Sequence, residues 1–275
     1  KSVEHEISVI SAIQAMAALS PEKYEVIPVY ITKNQMMYTG ERLKKIDAFE
    51  DIDGLLQSCR QVYLLKTREK VILMGHPAKR FGSSEISAID VAFPVVHGTH
   101  VEDGCLQGFF ETFDLPYVGS DVSASAAGMD KWTMKCLLQG AQLPVLSGYT
   151  FQRQLFDADP EGEMDRVEEK VAYPLIVKPV NLGSSVGISP ALNREELKEA
   201  IELAAAFSER ILLEPLMENL REINCAVLGD WEQTWVSACE EPLRGSRILS
   251  YTDKYQGGNS KAGNGAKGMS GAQRV

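Results

Sequence analysis

The chain has 275 residues, 44% hydrophobic and 24% charged, a composition that gives a globular protein a real core and room for about two domains. A net charge of −10 excludes a general nucleic-acid binder, because phosphate-backbone affinity needs a basic surface. Five scattered cysteines without a C-x-x-C pair indicate neither structural zinc nor a disulfide framework, no apolar run approaches the ~20 residues of a membrane span, and the charged start KSVEHEIS has no secretion-signal core; a reducing cytoplasm is the expected compartment.

In chain order, HEISVISAIQAMAAL (5–19) has apolar residues three and four apart and predicts a helix. EVIPVYI (25–31) and VILM (71–74) read as strands. DVAFPVVHG (90–98) is a nearly continuous apolar run, as in a strand covered on both faces. GCLQGFFETFDL (104–115) is helical and YVGS (117–120) a short strand. Strands alternating with helices imply a parallel sheet with helices packed on it.

A second unit opens with one helix expected over 123–139, then a strand at 146–152, an acidic helix at 161–171 and a strand at 173–180. A Gly/Ser loop follows, with a short strand at 187–190 and an amphipathic helix from NREELKEAIELAAAF (193–207), where Asn193 and Glu196 have capping-box spacing. A third region, RILLEPLM, REINCAVLG and TWVSACEE, gives three strand-like runs and predicts an antiparallel sheet. From Gly245 the chain is rich in Gly, Ser and Lys and is expected to be mobile.

KPVNLGSSVGIS (178–189) poses the main chemical question. A plain turn needs one residue with positive φ, whereas a sustained small-residue stretch lets backbone approach something bulky and charged, usually a phosphate; a flexible hairpin loop is the alternative. Lys178 ends an apolar strand and needs an anionic partner there. Lys131 is either a second phosphate ligand or a solvated helix residue. Glu214 and Glu222 are placed on consecutive strands, as acceptors for an adenine amine and ribose hydroxyls or as ordinary ion-pair partners. In VVHGTHVEDG (95–104), His97 and His100 suggest a metal only weakly, for want of a third ligand at the right spacing, and His97 reads better as a hydrogen-bonding or charge-stabilising group. Glu4, Glu102 and Asp103 precede helices, where the dipole stabilises carboxylates whatever the function.

Taken in order, SVEHEIS (2–8), VVHGTHVEDGCLQGFFE (95–111), PYVGSDVSASAAGMDKWTMK (116–135), YPLIVKPVNLGSSVGI (173–188), EPLMENLREINCAVLG (214–229) and SYTDKYQGG (250–258) resemble the D-alanine–D-alanine ligase family of ATP-grasp enzymes. The resemblance implies an α/β fold in three parts: an N-terminal parallel α/β domain (1–119) for the first substrate, a central α+β subdomain (120–209), and the start of a C-terminal antiparallel-sheet domain (210–275) with an omega loop. It implies ATP-dependent ligation of two D-alanines through an acyl phosphate, for peptidoglycan precursors in the cytoplasm, by a homodimer joined through its N-terminal unit.

By the same resemblance Glu4 holds the ammonium of the first D-alanine, His97 lies beside its carboxylate, and Glu102 and Ser185 border the substrates. Ser184 and Tyr255 form a hydrogen-bonded clasp with Glu4. Lys131 and Lys178 meet the nucleotide phosphates, Lys254 the transferred phosphate, Glu214 the adenine amine and Glu222 the ribose. The chain departs from the family pattern in lacking an initiator Met and the Gly-rich strand–turn, in one extra residue between Glu214 and Glu222, in a Gly-rich omega loop, and in having His-Val at 100–101. It is expected to be truncated at both ends, with the Mg²⁺ ligands and an oxyanion-stabilising arginine beyond Val275, and so inactive at this length. D-serine or D-lactate as second substrate, or nucleotide binding without catalysis if the chain does end at Val275, are the alternatives.

Overall fold

A computed structural model describes residues 4–242, which fall into two compact units meeting in the sequence at Asp130 and Lys131. In the first, α1 (His5–Ala18) precedes β1 (Val29–Ile31) and β2 (Met37–Thr39), two short 3₁₀ turns at 41–44 and 46–50, and α2 (Ile52–Ser58). β3 (Arg60–Lys66), β4 (Val71–His76) and β5 (Glu85–Ile89) complete a five-stranded sheet in sequential order, every neighbouring pair antiparallel. Leu43, Ala48 and Leu55 are buried together, with Tyr30, Phe49 and Cys59 packed against them.

This meander replaces much of the parallel sheet expected for the N-terminal region. A parallel crossover takes a dozen or more residues, whereas β3 and β4 are joined by a turn at 67–70 in which the Thr67 N–H donates to the Lys70 carbonyl and the Thr67 hydroxyl accepts the Glu69 and Lys70 amides. Parallel pairing survives at Ala92 and Tyr117, linked through a connection that contains α3 (Cys105–Thr112). The expected strand at 90–98 is reduced to that single bridge. Pro94 has no amide to donate, and among the described residues Ala92 is paired on one side only.

The helix expected over 123–139 is two helices, α4 (Val122–Met129) and α5 (Lys131–Gly140). Asp130 between them is extended (φ −89°, ψ 103°), and the Lys131 amide donates to the Val180 carbonyl at 3.0 Å, so the second helix is pinned to a strand end.

The second unit holds β6 (Tyr149–Gln152), α6 (Arg153–Ala158), α7 (Pro160–Lys170), β7 (Leu175–Pro179), β8 (Ser189–Ala191), α8 (Arg194–Ala205) and β9 (Arg210–Pro215). Its sheet runs β6-β9-β7-β8, all antiparallel, so the strand at 210–215 sits inside this sheet rather than opening a separate one. α8 buries Leu197, Ala200, Ile201, Ala204 and Ala205, one helical stripe, against Leu175, Val177, Ile211 and Leu213. Asn193 caps it as the spacing predicts: its Oδ1 accepts the Glu196 amide at 3.0 Å, while the Glu196 carboxylate accepts the Leu192 amide. β10 (Val227–Gly229) and β11 (Thr234–Val236) form a hairpin, with a bridge between Asn224 and Glu240.

Glu163 on α7 is fully buried, with Tyr149 Oη donating to Oε1 at 2.9 Å and Arg166 donating to Oε2 at 2.6 Å. A buried carboxylate that loses a donor costs about 1–3 kcal/mol. Tyr149→Phe is therefore expected to lower unfolding free energy by about that amount; urea denaturation with an unchanged midpoint would contradict it.

Candidate active site

In the first unit, Glu4, Ser8 and Ser11 share a face at the start of α1 by their four- and three-residue spacing. The Ser8 amide and hydroxyl donate to the Glu4 carbonyl at 3.0 and 3.2 Å. Both serines meet His97: Ser8 Oγ accepts its backbone N–H at 2.9 Å, and Ser11 Oγ lies 3.1 Å from its Nε2. The other ring nitrogen, Nδ1, lies 3.8 Å from Glu102 Oε1, and Glu102 Oε2 accepts the Gly98 amide at 2.5 Å. Glu4 itself is buried, 4% exposed. The His97 ring is thus set between the Glu102 carboxylate at Nδ1 and the Ser11 hydroxyl at Nε2.

The electrostatics follow. Interaction with Glu102 raises His97 above its ordinary value, against the opposing effect of burial, and the Glu4 charge adds to the rise. Burial works to raise Glu102, but His97 and the Gly98 amide outweigh it and hold it low. A raised imidazole stabilises the fold below its ordinary value and loses that contribution as pH climbs through the native one. A depressed carboxylate contributes above its ordinary value and loses the contribution as pH falls through the native one. The pair is therefore charged between the two native values. Glu102→Gln is expected to move the His97 titration, read by NMR, down towards about 6.5; an unmoved midpoint would remove Glu102 as the cause.

In the second unit, the β7–β9 register sets Ile176 opposite Glu214 and Lys178 opposite Leu212. Alternation puts Leu175, Val177, Ile211 and Leu213 into the helix-covered core and turns Lys178 and Glu214 to the other face. There the Lys178 ammonium donates to Glu214 Oε2 at 2.5 Å, and Lys135 of α5 forms an ion pair with Oε1 while also donating to the Leu146 carbonyl at 3.0 Å. Glu214 is 2% exposed. Burial pushes its carboxyl up, yet the two lysines prevail and hold it below the ordinary value. Its stabilising contribution is thus present above the ordinary carboxylate value and lost as pH falls through the depressed one.

Lys131 sits one helical turn before Lys135. Its ammonium donates to the carbonyls of Pro179 and Val180 at 3.2 and 3.5 Å, and to Leu182 at 2.5 Å. It straps the start of the loop that follows β7. That loop joins two antiparallel strands, so it is a hairpin connection, but a strained one: Ser184, Ser185 and Gly187 have φ of 53°, 59° and 70°. Left-handed conformation at two serines costs about 1–2 kcal/mol each. A Cβ on Gly187 would also meet Phe207 and Pro179 at 2.8 Å. Strain of this kind persists where surrounding structure enforces it, commonly at ligand clamps.

Two family models match the chain: the D-ala D-ala ligase N-terminus over residues 1–120 and the D-ala D-ala ligase C-terminus over residues 137–268. The chain belongs to the D-alanine–D-alanine ligase family. It is 42% identical over 261 residues to the D-alanine–D-alanine ligase of Chloroherpeton thalassium, covering 95% of this chain and 70% of that relative. Among solved structures it resembles the D-alanine–D-alanine ligase of Coxiella burnetii (TM-score 0.72, 31% identity, 87% of this chain and 67% of that one). It also resembles the VanG D-Ala:D-Ser ligase of Enterococcus faecalis (TM-score 0.74, 32% identity, 92% and 70%). The fold is therefore ATP-grasp, and the family is one of ATP-dependent ligases.

Within this family frame, the structure brings Glu4, His97 and Glu102 together in the first unit, and in the second sets Lys131 at the root of the loop bearing Ser184 and Ser185, with Lys178 and Glu214 bound to each other. Glu222 is not on a strand; it lies in the link between β9 and the bridge at Asn224, half-buried, because β10 begins only at Val227. Lys254 and Tyr255 lie outside the described residues. Sequence reasoning missed Lys135, although i, i+4 spacing from Lys131 put both ammoniums on one helix face, and it missed Ser8 and Ser11, which repeat that spacing from Glu4. His97 and His100 do not act as a pair: Ser11 and Glu102 take up the His97 ring.

Proposed function

We propose that the protein uses ATP to join two D-alanines, the first unit holding the amino acid and the second the nucleotide phosphates. The observation that carries this reading is the lysine group at the end of β7. Among the described residues, Lys135 and Lys178 converge on the buried Glu214 carboxylate and Lys131 lies one helical turn from Lys135, a concentration of positive charge suited to a polyphosphate. Glu214 pre-positions Lys135 and Lys178, and its remaining lone pairs serve the adenine amine; Glu222 serves the ribose. Ser184 and Ser185, held in the left-handed region, turn their backbone towards the phosphates.

In the reaction, a carboxylate oxygen of the first D-alanine attacks the γ-phosphorus and ADP leaves. Glu4 holds that substrate's ammonium, His97, whose protonated form Glu102 favours, faces its carboxylate, and Ser8 and Ser11 fix His97. The amine of the second D-alanine then attacks the acyl carbon, loses a proton and expels phosphate. Ser184, Tyr255 and Lys254 are the further residues that the family resemblance assigns to this reaction. Water must be excluded, since it would hydrolyse the acyl phosphate. The dipeptide serves peptidoglycan precursor synthesis in the cytoplasm, and the protein works as a homodimer. Among the described residues, the lysine group offers Mg²⁺ only Glu214, whose two oxygens already hold ammoniums, so these residues do not make a Mg²⁺ site and no step is assigned to one.

The likeness to a D-Ala:D-Ser ligase supports D-serine as the second-substrate alternative. The acyl-phosphate route is tested with oxygen-18 in the D-alanine carboxylate: one labelled oxygen is expected in the released phosphate. Released phosphate that carries no label would contradict it.

A further inference from the structure

The loop between His97 and α3 carries a second constellation that the ligase chemistry does not use. His100, Asp103 and Cys105 offer one imidazole nitrogen, one carboxylate oxygen and one sulfur, all within 4.8 Å of each other, and among the described residues they are the one such group of three or more. Their arrangement is held by backbone. Asp103 Oδ2 accepts the His100 amide at 2.7 Å and Oδ1 accepts the Cys105 amide at 3.2 Å, which leaves each oxygen a lone pair. His100 has φ of +66°, a conformation uncommon for a residue with a side chain. His100 and Cys105 are exposed, so an ion has an entry path and solvent can supply a fourth ligand.

We propose that His100, Asp103 and Cys105 bind a thiophilic divalent cation of the zinc class, with water in the open position. The donor set selects the metal. One nitrogen, one sulfur and one carboxylate suit Zn²⁺ or Co²⁺ in tetrahedral geometry, whereas Mg²⁺ and Ca²⁺ require oxygen shells. A tetrahedral shell built from bonds of about 2.0–2.3 Å needs ligand atoms well inside that 4.8 Å limit, and the exposure of His100 and Cys105 leaves their side chains free to adjust to it. The start of α3 at Cys105 stabilises the Asp103 carboxylate, whereas Asp103 and burial raise the Cys105 thiol, so the ion displaces the thiol proton as it binds. The consequence is local. The same loop carries His97 and Glu102, so an ion at His100 stiffens the segment that presents them.

The inference does not depend on the ligase reading and is tested without turnover. Purified protein, kept reduced, is titrated with Co²⁺ while thiolate-to-cobalt charge-transfer absorption is followed, and with Zn²⁺ by calorimetry. The expected result is a saturable 1:1 band. Cys105→Ser should abolish that band, and His100→Ala should weaken binding by more than about tenfold. Cys136→Ser, which removes another exposed thiol, should bind as the parent does. No saturable band in the parent protein, or an unchanged band in Cys105→Ser, would overturn the proposal.

Discussion

Replacing Lys178 by methionine is expected to weaken ATP binding by about 10- to 100-fold, the equivalent of losing one charge-assisted hydrogen bond of roughly 1.5–3 kcal/mol. The fold should tolerate the change, because Glu214 keeps Lys135 as a partner and methionine retains most of the aliphatic stem. Lys131→Ala should cost less in affinity. The Lys131 ammonium is already spent on the carbonyls of Pro179, Val180 and Leu182, so its loss loosens the loop root rather than stripping a free charge from the site. Glu214→Ala should do the opposite of Lys178→Met: it leaves two ammoniums without their counter-ion, and breaking a buried pair this way costs about 3–5 kcal/mol of stability. Nucleotide titration and thermal unfolding separate the three. Equal affinity losses at Lys178 and Lys131 would contradict the division of labour between them.

The second large effect belongs to Glu4. Glu4→Gln is nearly isosteric at a buried site but removes the charge that would hold an ammonium. The KM for D-alanine should rise by about 10- to 100-fold, again one charged hydrogen bond, while the KM for ATP stays where it was. A shift in both constants would point to a general loosening of α1, and unchanged D-alanine kinetics would remove Glu4 from the site.

Local signals in this chain were reliable where one physical cause acted alone. The stripe on α8 and its Asn193 cap are legible because helical periodicity and capping are local properties. The anionic partner that a strand-end lysine requires was inferable as a need, and Glu214 meets it. Strand pairing was not legible, because alternating strand and helix signals do not reveal that the β3–β4 link is too short for a crossover until both strand ends are known. The break at Asp130 was hidden for a similar reason: Gly128 and Asp130 are only weak stop signals, and the Lys131 amide binds the Val180 carbonyl, 49 residues away. Lys135 escaped notice because its importance rests on a partner 79 positions further along the chain, at Glu214. The order of short motifs along the chain carried the family, whereas single motifs left the choice between loop and ligand site open.

The most direct test of the central claim is ADP release from ATP by the full gene product, with this 275-residue chain measured beside it, and with D-alanine, D-serine or neither added. D-alanine alone should stimulate release and yield the D-alanyl-D-alanine dipeptide in step with ADP. ADP release that ignores D-alanine, or that requires D-serine, would contradict the assignment of two D-alanines as substrates.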